Sequence, residues 1–333
     1  MSNAKQILAM LESRADDDDE RFYAIALQVA ASEARSGRRD TAAALRDAVE
    51  GARSRHPSRQ RVPVSIATPR GDLADILVLR SPRYKLSDVA MSDDLRTYID
   101  TFVNEQAKRE WLREHGKTPN RHVLFVGPPG SGKTMTAEAL ASALRLPLYV
   151  IRLETLITRF MGETAGKLRL VFDEIARRRG VFLFDEFDAL GAHRAASNDV
   201  AEMRRVLNTF LQLMEEPNAT DSVIVGATNF PDLLDRALLR RFDLVLRFDT
   251  PTENQIRKII KANLGPLKYP RLAWKRIIRS SQGLSQSELA RAAESAVKSA
   301  ILDQRGQVVT DDVIAALELR QQMKRDFTAT STV

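Results

Sequence analysis

Short apolar runs alternate with longer stretches of helical periodicity through the middle of this chain. HVLFV at 122–126, PLYVI at 147–151, VFLF at 181–184 and VIVGAT at 223–228 are bounded by polar or turn residues, as buried strands are. Between them a helix is expected from Lys133. Leu153, Leu156, Ile157 and Phe160 then fall at helix spacing, and Leu168, Val171, Phe172 and Ile175 repeat the pattern. The stretch from Met161 to Gly166 is expected to be a loop flanked by these two helices. Strands alternating with helices predict an α/β fold with a mostly parallel sheet covered on both faces.

The flanks read differently. Upstream, Ile76 to Leu79 is expected as a short strand, and Leu95 to Glu114 as a helix ending near Gly116. Downstream of Pro251 no strong strand recurs. Ser285 followed by Glu288 forms a capping box for a helix with Leu289, Ala292, Ala293 and Ala296 on one face, and Thr310 with Asp311 and Asp312 opens another. Near the start, Phe22, Ile25, Ala26 and Val29 share a helix face, as do Ala42, Leu45 and Val49. The acidic run Asp16 to Glu20 precedes the first of these faces, either as a helix start or as a solvated turn. The expected division is an N-terminal helical region at 1–60, a linker with a short strand at 61–83, an α/β domain at 84–250 and a small all-helical domain at 251–333.

Composition narrows the chemistry. The chain has 333 residues, 44% hydrophobic and 29% charged, which is ordinary for a globular protein. A net charge of +7 is modest over this length, and basic and acidic residues are interleaved, so charge alone does not argue for nucleic acid. There are no cysteines, which excludes disulfides, thiolate metal sites and cysteine nucleophiles. The four histidines lie far apart and lack the spacing of a helical zinc motif. With no signal-like start and no apolar run long enough to span a bilayer, a cytoplasmic location is expected.

The chemistry is concentrated at the ends of the central strands. Gly127 to Thr134 reads GPPGSGKT directly after one strand and before a helix, the context a phosphate loop requires. Its Pro129, Gly130, Ser131 and Gly132, with Met135 just beyond, are expected to surround the phosphates of a nucleotide. Lys133 would reach the β and γ oxygens and the Thr134 hydroxyl would bind magnesium. VFLFDEFD places Asp185 and Glu186 at the carboxyl edge of the same sheet, so Asp185 can hold the metal and Glu186 can deprotonate an attacking water. Asp188 reads better as part of an N-terminal cap for the next helix. Asn229 ends VIVGATN and could hold that water or the γ-phosphate, although Asn also suits turns. In LLDRALLRRFD, Arg240 and Arg241 stand together. Such a pair usually faces solvent, yet a guanidinium is the group that stabilises a transferring phosphoryl.

GPPGSGKT, VFLFDEFD, GATN and ALLRRFD occur in this order over residues 127 to 243. Together they resemble the Walker A, Walker B, sensor 1 and arginine-finger elements of AAA+ ATPases. SDVA at Ser87 to Ala90 is similar to the segment that lies against the adenine in the AAA branch, which implicates Val89 and Ala90. GLSQSELARAAESA at Gly283 to Ala296 is similar to that branch's helical lid. The resemblance spans Tyr84 to Leu319 and implies ATP and magnesium as ligands and a homohexameric ring with ATP sites at the subunit seams. Two features depart from the family pattern. Met91 stands where a glycine is usual after the adenine segment, and Gln286 and Ser287 replace a small Gly-Ala pair in the lid.

Phe160, Met161, Gly162 and Glu163 stand where protein-threading members carry the loop that lines the central pore. Phe160 also fits the apolar face of its own helix, so a core role stays open. Three readings follow: a remodeller that pulls a polypeptide through a ring, a nucleotide-gated scaffold that recruits a partner, and a nucleic-acid motor. No nucleic-acid reading motif is visible for the third. The N-terminal helices resemble those of stand-alone bacterial AAA ATPases paired with subtilisin-like serine proteases in phage-defence or plasmid-incompatibility systems. That resemblance implies a protein partner, of which a serine protease is one form; with no apolar run of spanning length, no membrane partner is expected.

Overall fold

The computed structural model describes residues 72–156, 161–190, 199–216, 220–230 and 239–330, with scattered positions between 26 and 47. The chain divides into two compact units, Met1–Val64 and Ser65–Val333. In the first, Ala26, Val29 and Ala30 are helical, as are Asp40, Thr41, Ala43, Ala44 and Asp47; Phe22, Ile25, Ala42, Leu45, Val49 and residues 61–71 of the linker lie outside the described residues.

The second unit opens with α1 (Asp72–Ile76) and β1 (Leu77–Arg80). Ile76 therefore ends a helix and does not begin the strand as expected. The long helix expected from Leu95 is two, α2 (Asp93–Ala107) and α3 (Arg109–Glu114), parted at Lys108. The Ser92 hydroxyl caps α2 by accepting from the Leu95 N–H. Then come β2 (His122–Val126), α4 (Lys133–Leu144), β3 (Leu148–Ile151), α5 (Leu153–Leu156) and α6 (Met161–Arg177). They lead into β4 (Val181–Phe184), a 3-10 turn (Phe187–Leu190), α7 (Asp199–Glu215), β5 (Val223–Thr228) and β6 (Leu244–Arg247).

The six strands lie in the order β1-β3-β4-β5-β2-β6, all parallel except β1, which pairs antiparallel with β3. The sequence pattern did not single out β6. Its neighbour β2 is the switch point: β3, β4 and β5 lie to one side of it and β6 to the other. Crevices beyond the carboxyl ends of strands at such a point are where open α/β sheets bind ligands.

Period-two alternation divides the strand side chains between two cores. Leu124, Val126, Phe182 and Phe184 face one side, where α6 contributes Leu168, Val171, Phe172 and Ile175 and α7 contributes Phe210 and Leu213. Val123, Phe125, Val181 and Leu183 face the other, against Leu95, Ile99 and Phe102 of α2 and Ala137, Leu140 and Ala141 of α4. Burial on both faces explains why these strands read as continuous apolar runs.

The helical unit comprises α8 (Glu253–Asn263), α9 (Trp274–Ser280), α10 (Gln286–Leu302) and α11 (Thr310–Thr330). The capping box expected at Ser285 and Glu288 is formed in both directions. A third core, built from Ile256, Ile260, Ile277, Leu289, Ala293 and Leu317 among others, also includes Ala90 from the segment before α2. No helix among the described residues is long and apolar enough to cross a membrane.

Candidate functional site

The strand register brings the tips of β4, β5 and β2 side by side. Phe184 pairs with Gly226, and Val126 pairs with Thr228 on one flank and with Arg247 on the other. Asp185, Asn229 and Gly127 therefore leave adjacent strands at neighbouring levels. Gly127 is held on both sides: its N–H donates to Thr228 O at 3.2 Å, and a Cβ there would lie 2.3 Å from Phe248 O. Gly130 and Gly132 have φ of +74° and +97°, in the region that favours glycine. Ser131 is buried, and its Oγ has no hydrogen-bond partner. A tight loop holding a buried hydroxyl without a partner suits an oxyanion, so the residues present fit a bound phosphate chain.

Lys133 begins α4 and is almost fully buried. Its Nζ donates to Gly127 O at 2.7 Å, Pro128 O at 3.0 Å and Asn229 Oδ1 at 2.8 Å, joining the loop to the tip of β5. Burial lowers its pKa, and the nearby carboxylates of Asp185 and Asp188 oppose that shift. The Thr134 hydroxyl donates to Asp185 Oδ2 at 2.8 Å, so the two expected metal-holding residues are in contact. No cluster of three or more acidic or histidine side chains able to hold a metal occurs among the described residues. A Thr–Asp pair beside a phosphate loop nevertheless fits magnesium, which keeps several waters and shares substrate oxygens.

Glu186 is exposed and has φ +53°, an uncommon conformation for a residue other than glycine. Its N–H donates to Asp185 Oδ1 at 3.0 Å. The turn is anchored by Phe187, fully buried, whose ring lies 5.1 Å from that of Phe210 and 6.0 Å from that of Phe242. Asp188 is expected as part of a cap for the next helix, and among the described residues its carboxylate turns to the tip of β5. It lies inside the 3-10 turn, where its Oδ1 accepts from Thr228 Oγ1 and from Asn229 N–H, each at 3.1 Å. Sequence spacing carried no signal for this contact, because the two residues are forty apart.

The segment at 86–90 is held from several directions. Arg96 donates to Leu86 O at 3.0 Å, Lys258 of α8 to Val89 O at 2.9 Å and Gln286 of α10 to Ala90 O at 2.9 Å. Val89 and Ala90 are buried, whereas Met91 and Met135 are partly buried against the α2/α4 side of the sheet. Pro129 is exposed at the top of the phosphate loop. Arg240 and Arg241 are exposed; Arg241 pairs with Glu215 at 2.5 Å, and neither arginine bonds to residues 127–134. Met161 is the first residue of α6, so the stretch from Met161 to Gly166 is helical and not a loop. Phe160 lies outside the described residues.

A parallel sheet with a phosphate loop at its switch point, a buried lysine in that loop and a helical unit packed beside it defines a P-loop ATPase. The family model for the ATPase family associated with various cellular activities matches residues 123–250. The uncharacterized AAA family ATPase y4kL of Sinorhizobium fredii is 32% identical over 320 residues, 96% of this chain and 95% of the relative. The chain belongs to the AAA family of ATPases and shares its ATP-hydrolysing domain. The ATP-dependent zinc metalloprotease FtsH of Rickettsia felis is 36% identical over 235 residues, which is 67% of this chain but 36% of that protein. The solved AAA domain of FIGL-1 shares the fold, with a TM-score of 0.62 at 21% identity over 78% of this chain and 92% of that one.

Proposed function

We propose that this chain is an ATP-driven protein remodeller, hydrolysing ATP with magnesium at the seams of a homohexameric ring and gripping polypeptide in the pore. The observation that carries the catalytic part is the meeting of Lys133, the Thr134–Asp185 pair and Asn229 at the carboxyl ends of three adjacent strands. Residues 129–135 cradle the phosphates and Lys133 neutralises the β and γ oxygens. Thr134 and Asp185 would hold magnesium, which would supply charge stabilisation to the transferring phosphoryl group. Glu186 takes a proton from the water as its oxygen attacks the γ-phosphorus; the bond to the bridging oxygen breaks and ADP leaves with that electron pair. Asn229 orients the water, and Arg240 and Arg241 act on the neighbouring subunit's site.

Asp188 is the positioning residue for Asn229, on the strength of its bonds to Thr228 and Asn229. Asp188→Ala should lower kcat about 10- to 100-fold, the range a small misplacement produces, with nucleotide affinity near that of the parent. Asp188→Asn keeps an acceptor and should recover most of the rate. Steady-state ATPase assays beside an ADP titration check both.

Protein as the substrate is supported by the match to FtsH, an ATP-dependent protease, over two thirds of this chain. The remodelling step rests on Phe160 and Met161. Phe160→Ala should leave thermal melting and basal hydrolysis nearly unchanged while abolishing ATP-dependent unfolding of a model protein; Phe160→Tyr should retain much of it. A core phenylalanine would behave otherwise, because its truncation costs about 3 to 5 kcal/mol. A large fall in melting temperature, or unaltered unfolding, overturns the pore assignment and favours a switch that recruits a protein partner, a serine protease among the classes to test.

A further inference from the structure

The first turn of α10 begins over the phosphate loop. The Ser287 N–H donates to Gly130 O at 3.0 Å, and a Cβ on Gly130 would lie 2.2 Å from Ser287 Oγ. Gln286 reaches to both walls of the site. Its Nε2 donates to Ala90 O at 2.9 Å, and its Oε1 lies 3.2 Å from where a Cβ on Gly132 would stand. The carboxamide thus spans the interval between residues 89–90 and the phosphate loop.

A nucleotide with its phosphates on residues 127–134 and its base on residues 89–90 must cross that same interval. We infer that Gln286 and the nucleoside compete for it, so that this side chain sets the affinity of the site; the inference rests on the nucleotide-site assignment above. The competition is chemically matched. Ala90 O accepts an N–H from the primary amide of Gln286, and the exocyclic amino group of adenine is a donor of the same kind. Entry of the nucleoside exchanges one donor for the other, and the hydrogen bond to Gln286 is lost as a cost of binding. Inorganic tripolyphosphate carries no nucleoside, does not cross the interval and bears no such cost.

The test is calorimetric titration of the full chain with ADP, which avoids turnover, and with tripolyphosphate. Gln286→Ala should bind ADP about two- to tenfold tighter, the net worth of one hydrogen bond, and tripolyphosphate with unchanged affinity. Gln286→Asn, too short to reach Ala90 O, should act in the same direction and keeps a polar first turn should the alanine variant fail to fold. Gln286→Glu cannot donate to Ala90 O and brings a carboxylate to the phosphate loop, so it should weaken both ligands. Unchanged or weaker ADP binding by folded Gln286→Ala or Gln286→Asn overturns the competition. Parent chain that binds no ADP, or binds it equally well after Lys133→Ala, overturns the nucleotide-site assignment itself and the competition with it.

Discussion

Glu186→Gln should bind ATP with parent affinity and hydrolyse it about 100- to 10,000-fold more slowly, the usual contribution of a positioned general base. The two acidic residues at the tip of β4 are distinguished by what they touch. Asp185 accepts from the Thr134 hydroxyl at Oδ2 and from the Glu186 N–H at Oδ1, so one of its oxygens faces the phosphate loop. Glu186 is exposed and its backbone is left-handed, a conformation that persists only where the surroundings enforce it. Here Phe187, buried among Phe184, Phe210 and Phe242, supplies that enforcement. The amide of Gln keeps the shape of the side chain but is a far weaker proton acceptor. Lys133→Ala should fail differently, losing nucleotide binding, because three acceptors and the phosphate chain share that ammonium. ATP binding measured beside single-turnover hydrolysis separates the two, and parent-rate hydrolysis by Glu186→Gln would remove the base assignment.

Arg241→Ala should lower kcat about 1,000-fold or more, the scale on which an arginine supplied to a phosphoryl-transfer site acts. Among the described residues Arg241 forms an ion pair with Glu215, with both side chains about half exposed, and such a pair contributes little to stability. Glu215→Ala should accordingly leave hydrolysis near the parent rate. Mixing Arg241→Ala subunits with Glu186→Gln subunits should restore activity, because some seams then combine an intact arginine with an intact base. Full activity of the parent chain at high dilution, as a monomer, would refute the shared site.

Much of this was legible because the decisive strands are buried on both faces. Runs such as VFLF and VIVGAT have no polar alternation to confuse, and a phosphate loop is recognisable from its glycines and flanking elements. What escaped depends on contacts distant in sequence. β6 was missed since LVLR is a four-residue edge strand in which Leu246 alone is buried. The stretch from Met161 to Gly166 is expected as a loop, yet α6 runs through it and through both of its glycines, Gly162 and Gly166. The penalty is about 1 kcal/mol for each glycine, and Leu168, Val171, Phe172 and Ile175 buried along the same helix outweigh it. The pairing of Asp188 with Asn229, and the reach of Gln286 to Ala90, could not be inferred from spacing at all, since each joins residues that only the tertiary fold brings together.

Ala90 belongs to two structures at once. The residue is 4% exposed and belongs to the core of the helical unit, while its carbonyl accepts from the Gln286 carboxamide beside the phosphate loop. Lys258 secures the preceding residue from α8 in the same way. Occupancy of the site and the packing of four helices are therefore linked functions of one short segment of backbone. By thermodynamic reciprocity, whatever free energy the bound base gains from well-packed helices, those helices gain from the base. On the proposed base site at residues 89–90, a bound nucleotide and an empty site then correspond to two degrees of cohesion in the helical unit.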